Sequence, residues 1–296
     1  MESNNIDDKL VNYGGQAVIE GVMMRGRKTW AMAMRAPDGT IATKVEKLGG
    51  IYQSRLAKIP FLRGLILLWD SLGLGMKALT DSANMQSGED EKLEGPVLYL
   101  TLGLTFLVAI GIFFLAPAGV GWLSERFLHW NAWWSNLVEG IVRLILLVGY
   151  LWGIGFAPDI ARVFAYHGAE HKTINAYEAG AELTPAVVSN YSVEHPRCGT
   201  AFLVTLMVLS LFFFTILGPL PIGWRLFSRV VMIPVLAGAA YEYLRWTANH
   251  LNLPFVRLIV KPNLALQHLT TREPEEKMLE VAITAFQTMR KAELDA

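Results

Sequence analysis

Four long apolar stretches dominate the pattern of hydrophobic and polar positions along the chain. Two of them contain no charged residue, and the other two carry only a few within otherwise apolar sequence. A helix of about twenty apolar residues is long enough to cross a hydrocarbon core of ~30 Å. The pattern therefore predicts a mainly α-helical, polytopic membrane protein with about four transmembrane helices. The predicted spans are 97–116, 137–156, 200–218 and 226–243.

Lysine and arginine are unevenly distributed among the segments outside these stretches. Residues 117–136 contain Arg126 alone and 219–224 contain neither residue type, whereas three lie in 158–199 and most of the others lie near the two ends of the chain. Cytoplasmic loops of membrane proteins carry an excess of Lys and Arg. The chain is therefore expected to have both termini and the 158–199 loop in the cytoplasm.

The first 58 residues are predicted to form a small β-containing region. Two β-like runs, Trp30–Arg35 and Thr40–Val45, flank Pro37-Asp38-Gly39, a sequence that favours a tight turn and hence a β-hairpin. The chain start, Met1–Leu10, lacks the basic and apolar segments of a cleavable signal peptide.

Two further apolar segments have a pattern that favours the membrane interface over a span. In 59–79, Arg63, Asp70 and Lys77 follow one another at seven-residue intervals and fall on one narrow stripe. Such a helix lies in the interface or against other helices, and spanning is the alternative. The segment 251–269 is interrupted by two prolines, which favours an interfacial or re-entrant segment.

The last predicted element is an amphipathic helix over 273–294, with Met278, Ala282, Ala285 and Met289 on one face. An acidic linker is predicted over 81–94. The predicted organisation is an N-terminal cytoplasmic region (1–58), an amphipathic helix with the acidic linker (59–95), a four-helix transmembrane domain with its central cytoplasmic loop (96–245), and a C-terminal interfacial segment with the amphipathic helix (246–296).

Composition agrees with a membrane protein and excludes other classes. The chain is 53% hydrophobic and 18% charged, which is too apolar for an ordinary soluble protein of 296 residues. A formal net charge of zero gives no basic field for nucleic acid. Cys198 is the single cysteine, so an intrachain disulfide is impossible.

The strongest chemical signal is the H-x-x-E-H pattern formed by His167, Glu170 and His171. On a helix these positions share one face. Two imidazoles one turn apart can bind one divalent metal ion, most simply zinc, and the carboxylate can bind the ion or take a proton. The alternative is a helix end whose histidines hydrogen-bond to the backbone or to Glu178.

Three further residues are candidate ligands that would complete the shell. His195 and Cys198 lie just before the third span, and Glu242 lies near the end of the fourth span, at the predicted level of the central loop. The alternatives are a turn beside a packing cysteine and an ion pair between Glu242 and Arg245.

Several ordered motifs resemble those of the YqhQ-like family over nearly the whole chain. The resemblance implies a bacterial inner-membrane protein, because the family comprises bacterial membrane proteins with a domain of unknown function, described as predicted metal-dependent enzymes. It supports a metal site and supplies no substrate. The matching motifs are Gly14-Gly-Gln-Ala-Val-Ile-Glu-Gly-Val-Met-Met-Arg25, Tyr166-His-Gly-Ala-Glu-His-Lys172, His195-Pro-Arg-Cys-Gly-Thr200, Tyr241-Glu-Tyr-Leu-Arg245, and Leu264-Ala-Leu-Gln267 with Leu269-Thr-Thr-Arg-Glu-Pro274.

Two functions agree with these observations. The first is a membrane-embedded metal-dependent enzyme, most simply a hydrolase, with Glu170 as general base and with metal ligands drawn from His167, His171, His195, Cys198 and Glu242. The second is a non-catalytic membrane module, such as an accessory factor in membrane-protein biogenesis, a scaffold or a transport component that docks in a larger membrane complex.

Overall fold

The computed structural model of the protein describes residues 13–49, 59, 61–87, 95–218 and 220–296. The chain start Met1–Leu10, residues 50–58 and the last part of the predicted acidic linker, 88–94, lie outside these residues. The strands are β1 Gly14–Val18, β2 Gly21–Arg25, β3 Thr29–Arg35 and β4 Ile41–Lys47. The helices are α1 Leu62–Gln86, α2 Gly95–Ile110, α3 Ala116–Leu128, α4 Ala132–Ile154, α5 Pro158–Glu178, α6 Pro185–Val188, α7 Gly199–Ile216, α8 Ile222–Asn249, α9 Pro254–Gln267 and α10 Glu276–Leu294, with a π-helical turn, Gly111–Leu115, between α2 and α3.

The N-terminal region forms a four-stranded antiparallel sheet in the order β1-β2-β3-β4. Its second half is the predicted hairpin: β3 pairs with β4, and the turn between them contains Gly39 at φ 87°. The Asp38 carboxylate accepts a hydrogen bond of 2.9 Å from the Thr40 N–H and fixes this turn. The predicted β-hairpin region is therefore confirmed, and β1 and β2 extend it to a full sheet.

Helices cover both faces of this sheet. Because side chains alternate along a strand, Ala31 and Ala33 of β3 face α10, whereas Trp30 and Met32 face α1. Helix α10 buries the four residues expected on its apolar face. The first strand, β1, contacts both α5 and α1, which places it between the segment 158–199 and the N-terminal amphipathic helix.

Helix α1 continues to Gln86, seven residues beyond the predicted end of its apolar segment. Its second half is held on the sheet, where the Lys77 ammonium donates to the Glu46 carboxylate at 2.6 Å and the Lys44 ammonium donates to the Asp81 carboxylate at 2.6 Å. Tertiary contacts thus extend the helix into polar sequence. The side chain of Asp70 is not among those described.

The described residues contain four helices long and apolar enough to cross a membrane, which agrees with the predicted polytopic fold. The helical segment that contains the first predicted span is longer than predicted, because α2, the π-helical turn and α3 form one continuous helix. The segment 158–199, predicted as the central loop, is largely helical and begins with α5. The candidate spans are Gly95–Leu128, Ala132–Ile154, Gly199–Ile216 and Ile222–Asn249.

The spans enclose an ion-pair network centred on Glu139. Its carboxylate accepts hydrogen bonds of 2.8 Å from Arg143, the pair predicted from the sequence, and of 2.8 Å from Arg229 on α8. Arg225 donates to the Glu125 carboxylate at 2.8 Å. The three arginines and Glu139 are almost completely buried. Ionisable groups inside a membrane bundle pair with one another in this way because an unpaired charge there is costly.

Pro117 connects the first span to the same network. Proline has no N–H, so the Phe113 carbonyl cannot form its usual hydrogen bond to the residue four positions ahead. The helix widens into the π-helical turn at this point. Arg143 Nε donates to the Phe113 carbonyl at 3.1 Å. A break in one helix thereby supplies an acceptor for a buried arginine of another.

The predicted orientation can be tested by cysteine labelling. In a Cys198→Ser background, we expect an impermeant maleimide added to intact cells to label Trp130→Cys and not Glu182→Cys, because the arginine and lysine distribution places 158–199 inside. Both positions are exposed, so accessibility is matched. Labelling at 182 and not at 130 would mean that the orientation is inverted.

Candidate metal centre

Helix α5 presents His167, Glu170 and His171 on one face, as the spacing predicts. The imidazole centroids of His167 and His171 are 4.4 Å apart. Glu170 and His171 are buried. The helix approaches the loop after α9 closely, because a side chain at Gly168 would collide with the Arg272 carbonyl. The glycine inside the motif therefore allows this helix face to lie against the C-terminal segment.

Backbone carbonyls fix the tautomers of both histidines. His167 Nδ1 lies 2.8 Å from the Thr270 carbonyl oxygen, and His171 Nδ1 lies 2.5 Å from the Val193 carbonyl oxygen. A carbonyl can only accept, so the proton of each neutral ring is assigned to Nδ1. The Nε2 lone pair of each ring is then free to bind a metal ion, the arrangement typical of histidine ligands in proteins.

Cys198 completes a group of three potential ligands. It is the N-cap residue of α7, and its sulfur accepts a hydrogen bond from the Thr200 N–H at 3.4 Å. The sulfur lies 3.3 Å from His167 Nε2. Ligand atoms of His167, His171 and Cys198 all lie within 4.8 Å of one another.

The Glu170 carboxylate lies beside this group. One of its oxygens is 3.9 Å from His167 Nε2 and 3.7 Å from His171 Nε2. Burial raises the pKa of Glu170 to about 7, although the nearby His167 and a hydrogen bond from the Gly15 N–H act in the opposite direction. The residue therefore combines a position next to both imidazoles with a pKa suited to proton transfer near neutrality.

Strand β1 forms one wall of the site. A Cβ at Gly15 would lie 2.8 Å from Glu170 Cγ and 2.7 Å from the Met23 carbonyl oxygen, so only glycine fits between the carboxylate and β2. Together these groups enclose a cavity of about 60 Å³, which exceeds the roughly 15 Å³ that one water molecule needs. The cavity is lined by Tyr13, Gly14, Gly15, His167, Glu170, His171, His195, Arg197, Cys198 and Gly199.

The comparisons with known proteins identify the family. The family model "Protein of unknown function (DUF1385)" matches residues 59–292. The chain is also 36% identical to the uncharacterized protein YqhQ of Bacillus subtilis (strain 168), over 95% of this chain and 93% of that protein. The chain belongs to the DUF1385 family. No solved structure matches it.

In this DUF1385 protein, His195 lines the cavity but is not one of the three grouped ligands. Its Nδ1 accepts a hydrogen bond of 3.4 Å from the Arg197 N–H, and its Nε2 lies 3.8 Å from a Glu178 oxygen. Burial lowers the pKa of His195, and Glu178 opposes this shift. Within the described residues, Nε2 has no hydrogen-bond partner. His195 is therefore a neutral neighbour of the ligand group.

The loop containing His195 is held by Gln267, the last residue of α9. Gln267 accepts from the His195 N–H at 2.9 Å and donates to the His195 carbonyl at 2.9 Å. This double hydrogen bond resembles the pairing of two strands and fixes the segment that leads to Cys198. Gln267, Thr270 and Val193 were not predicted as site residues. Gln267 and Thr270 lie in the motifs that resemble those of the YqhQ-like family, and this resemblance is the signal that could have identified them.

Glu242 is the one predicted ligand that the structure places elsewhere. Its carboxylate accepts hydrogen bonds from Arg63 Nε at 2.7 Å and from the Phe61 N–H at 3.2 Å. It does not line the cavity. The prediction relied on depth in the membrane and on the further glutamate ligand that proteins with the inverted zinc-protease pattern take well downstream of their helix. The start of α1 lies against this end of α8, where Gly64 contacts Tyr241. Glu242 therefore pairs with Arg63, rather than with Arg245, and lies away from the grouped ligands.

The remaining donor set of this DUF1385 protein fits a zinc-type ion. In a tetrahedral site with bonds of about 2.0–2.3 Å, ligand atoms lie about 3.3–3.7 Å apart. The separation of 3.3 Å between Cys198 sulfur and His167 Nε2 falls in this range. The Glu170 oxygen, 3.7 and 3.9 Å from the two Nε2 atoms, lies at or beyond its upper end. Two imidazoles and a thiol are also ligand types that zinc prefers.

Proposed function

We propose that this protein is a membrane-embedded, metal-dependent enzyme, most simply a hydrolase, whose site lies at the cytoplasmic end of the spans. The observation that carries the proposal is the convergence of the His167 and His171 Nε2 lone pairs on Cys198 and Glu170 inside one cavity. His167, His171 and Cys198 would hold the ion, and zinc is the preferred candidate. A bound zinc ion supplies an activated water at neutral pH and polarises a carbonyl or phosphoryl oxygen.

Each residue of the site has a separate role in such a reaction. Thr270 and Val193 hold the two rings in the tautomer that leaves Nε2 free. Glu170 is placed to accept a proton from the attacking water and to return it to the leaving group. Gly15 donates to the Glu170 carboxylate and keeps it facing the imidazoles. The wall formed by β1 limits the water in the cavity to a small number of molecules.

A second candidate is a non-catalytic membrane module in which the same ligands hold a structural ion. The observation in its favour is the enclosure of the site: His171, Cys198 and Glu170 are all buried, and the ligands connect α5 to the start of the span α7. Structural zinc sites are closed, whereas catalytic sites keep a position for water. Such a module would dock in a larger membrane complex.

Cobalt(II) substitution separates these candidates. We expect the wild-type protein to show a thiolate-to-cobalt charge-transfer band, Cys198→Ser to lose it and Glu170→Gln to retain it, because Glu170 is not needed to hold the ion. In hydrolysis assays with p-nitrophenyl acetate and p-nitrophenyl phosphate, Glu170→Gln is expected to lose about 100-fold or more in rate.

The outcomes distinguish the two functions. A wild-type protein that binds cobalt but hydrolyses neither ester, with Glu170→Gln unchanged in all respects, favours the structural module. A wild-type protein that binds cobalt without a thiolate charge-transfer band would show that the thiol assignment is wrong. Exposed Glu182→Gln serves as the matched control for the loss of one carboxylate.

A further inference from the structure

Two residues in the wall of the candidate metal centre carry hydrogen-bond donors that have no acceptor. Arg197 and His195 both line the cavity, and within the described residues Arg197 Nε and His195 Nε2 are buried without a hydrogen-bond partner. Because His195 Nδ1 accepts from the Arg197 N–H, the proton of the neutral ring is assigned to Nε2. Guanidinium nitrogens can only donate. Both unpartnered atoms are therefore donors, and a buried donor without an acceptor is costly.

Glu178, the nearest carboxylate, leaves donors on both residues unused. One of its oxygens lies 3.8 Å from His195 Nε2, which is beyond hydrogen-bond distance. Its other oxygen accepts from Nη2 of Arg197, and in the described part of the chain this is the only guanidinium nitrogen of Arg197 that makes a hydrogen bond. The Arg197 side chain is 26% exposed. The guanidinium group is therefore accessible and keeps donors for a ligand.

The start of α7 adds backbone donors to the same wall. Gly199, the first residue of α7, lines the cavity. The first N–H groups of a helix have no acceptor within the helix, and this end of a helix favours anions. Cys198 accepts from one of these groups, the Thr200 N–H. A Cβ at Gly199 would meet nothing within 4 Å among the described residues, so there is open space beside this helix end.

The chemistry of this wall favours an oxyanion with several oxygens. A guanidinium group, an imidazole N–H and a helix N-terminus all seek acceptors, and the metal ligands line the same cavity. A phosphoryl group has three terminal oxygens in three directions, whereas a carboxylate has two in one plane. The cavity of about 60 Å³ is roughly four times the 15 Å³ that one water molecule needs. It has room for one phosphoryl group and little beyond it, which favours a monoester over a diester.

We propose that the substrate of this site is a phosphate monoester, whose phosphoryl oxygens are bound by Arg197, by His195 Nε2 and by the N-terminus of α7. The inference rests on the proposed hydrolase for its reaction and names the substrate class. The water oxygen forms the new bond to phosphorus, and the ester P–O bond breaks with its electron pair on the leaving oxygen. Glu170 transfers the water proton to that oxygen, so the products are an alcohol and inorganic phosphate. Arg197 binds the negative charge of the phosphoryl oxygens throughout.

The experiment measures the binding of inorganic phosphate to the full-length protein in detergent micelles by isothermal titration calorimetry. It is carried out on zinc-loaded protein freed of excess zinc and on chelator-treated protein. Wild type is expected to bind phosphate in both forms and to bind acetate more weakly. Arg197→Gln is expected to weaken phosphate binding about 10–100-fold, because a hydrogen bond from a charged donor is lost. Arg197→Lys keeps the charge and is expected to restore part of the affinity.

Two carboxylate variants locate the effect. Glu178→Gln releases Arg197 from its ion pair and is expected to tighten phosphate binding roughly two- to fivefold, the size of a partly exposed ion-pair effect. Glu182→Gln removes one exposed carboxylate that does not line the cavity and is expected to change nothing. If Arg197→Gln does not fold, Glu178→Gln still decides, because unchanged or weaker phosphate binding in that variant overturns the proposal.

The outcomes separate the substrate class from the proposed function. Absence of phosphate binding in both forms of the wild type, unchanged binding in Arg197→Gln, or acetate binding as tight as that of phosphate overturns the phosphate monoester. Hydrolysis of p-nitrophenyl acetate without phosphate binding would overturn it and leave the hydrolase standing. Phosphate binding that Arg197→Gln weakens, in a protein that hydrolyses neither ester, would support the phosphate-binding wall and contradict the hydrolase.

Discussion

Alanine at His167 or at His171 is expected to remove bound metal from the purified protein. Each substitution leaves the ion with fewer ligands than a stable site requires. Loss of a residue that only supports a ligand lowers metal affinity roughly 10–100-fold. Loss of the ligand itself is therefore expected to lower metal affinity by more than roughly 100-fold. The measurement is metal content per chain, by mass spectrometry, for wild type, His167→Ala and His171→Ala purified without a histidine tag.

The matched control is His129→Asn. It removes one imidazole at the far end of the bundle, and asparagine tolerates the left-handed backbone at this position, where φ is 53°. This variant is expected to retain wild-type metal content. If wild type binds no zinc, manganese or iron(II) after incubation, the enzyme proposal loses its basis. Full occupancy in both alanine variants would place the metal elsewhere.

Substituting Glu139 with glutamine is expected to be the most destabilising single change in the spans. The glutamine keeps the shape of the side chain but removes the charge that Arg143 and Arg229 share at 2.8 Å. Removal of one partner from a buried ionic group typically costs about 3–5 kcal/mol, because the remaining charges stay buried without compensation. The measurement is the free energy of unfolding in mixed micelles by denaturing-detergent titration.

Asp159→Asn provides the comparison for this prediction. It makes the same chemical change at an exposed position in the first turn of α5. Its expected effect is below about 0.5 kcal/mol, as for surface substitutions in general. If Glu139→Gln unfolds at the same detergent fraction as Asp159→Asn, the network does not stabilise the bundle.

Several features of this protein could be predicted because their causes are local in sequence. The spans follow from apolar stretches of sufficient length, and the β3–β4 hairpin follows from Pro37-Asp38-Gly39. The Glu139–Arg143 pair and the shared face of His167, Glu170 and His171 follow from the period of the α-helix. In each case, one helix or one turn brings the residues together.

The partners of these residues could not be predicted because they come from distant segments. His167 is oriented by Thr270, 103 positions away, and Glu170 is packed against Gly15 of β1. The sequence shows Gly14-Gly15-Gln16 only as a motif. Its role as a wall of the cavity arises because the sheet lies between α5 and α1.

Glu242 illustrates the difference most clearly. The sequence placed it at a plausible depth for a ligand, but depth leaves the direction around the helix and the neighbouring element undetermined. Its partner Arg63 is 179 positions away, on a helix whose contact with α8 no local pattern predicts. The sequence by itself determined the membrane class, the spans and the spacing of two imidazoles and a carboxylate. Only the tertiary structure decided which thiol, carbonyls and glycine surround them, because those contacts depend on how separate elements pack.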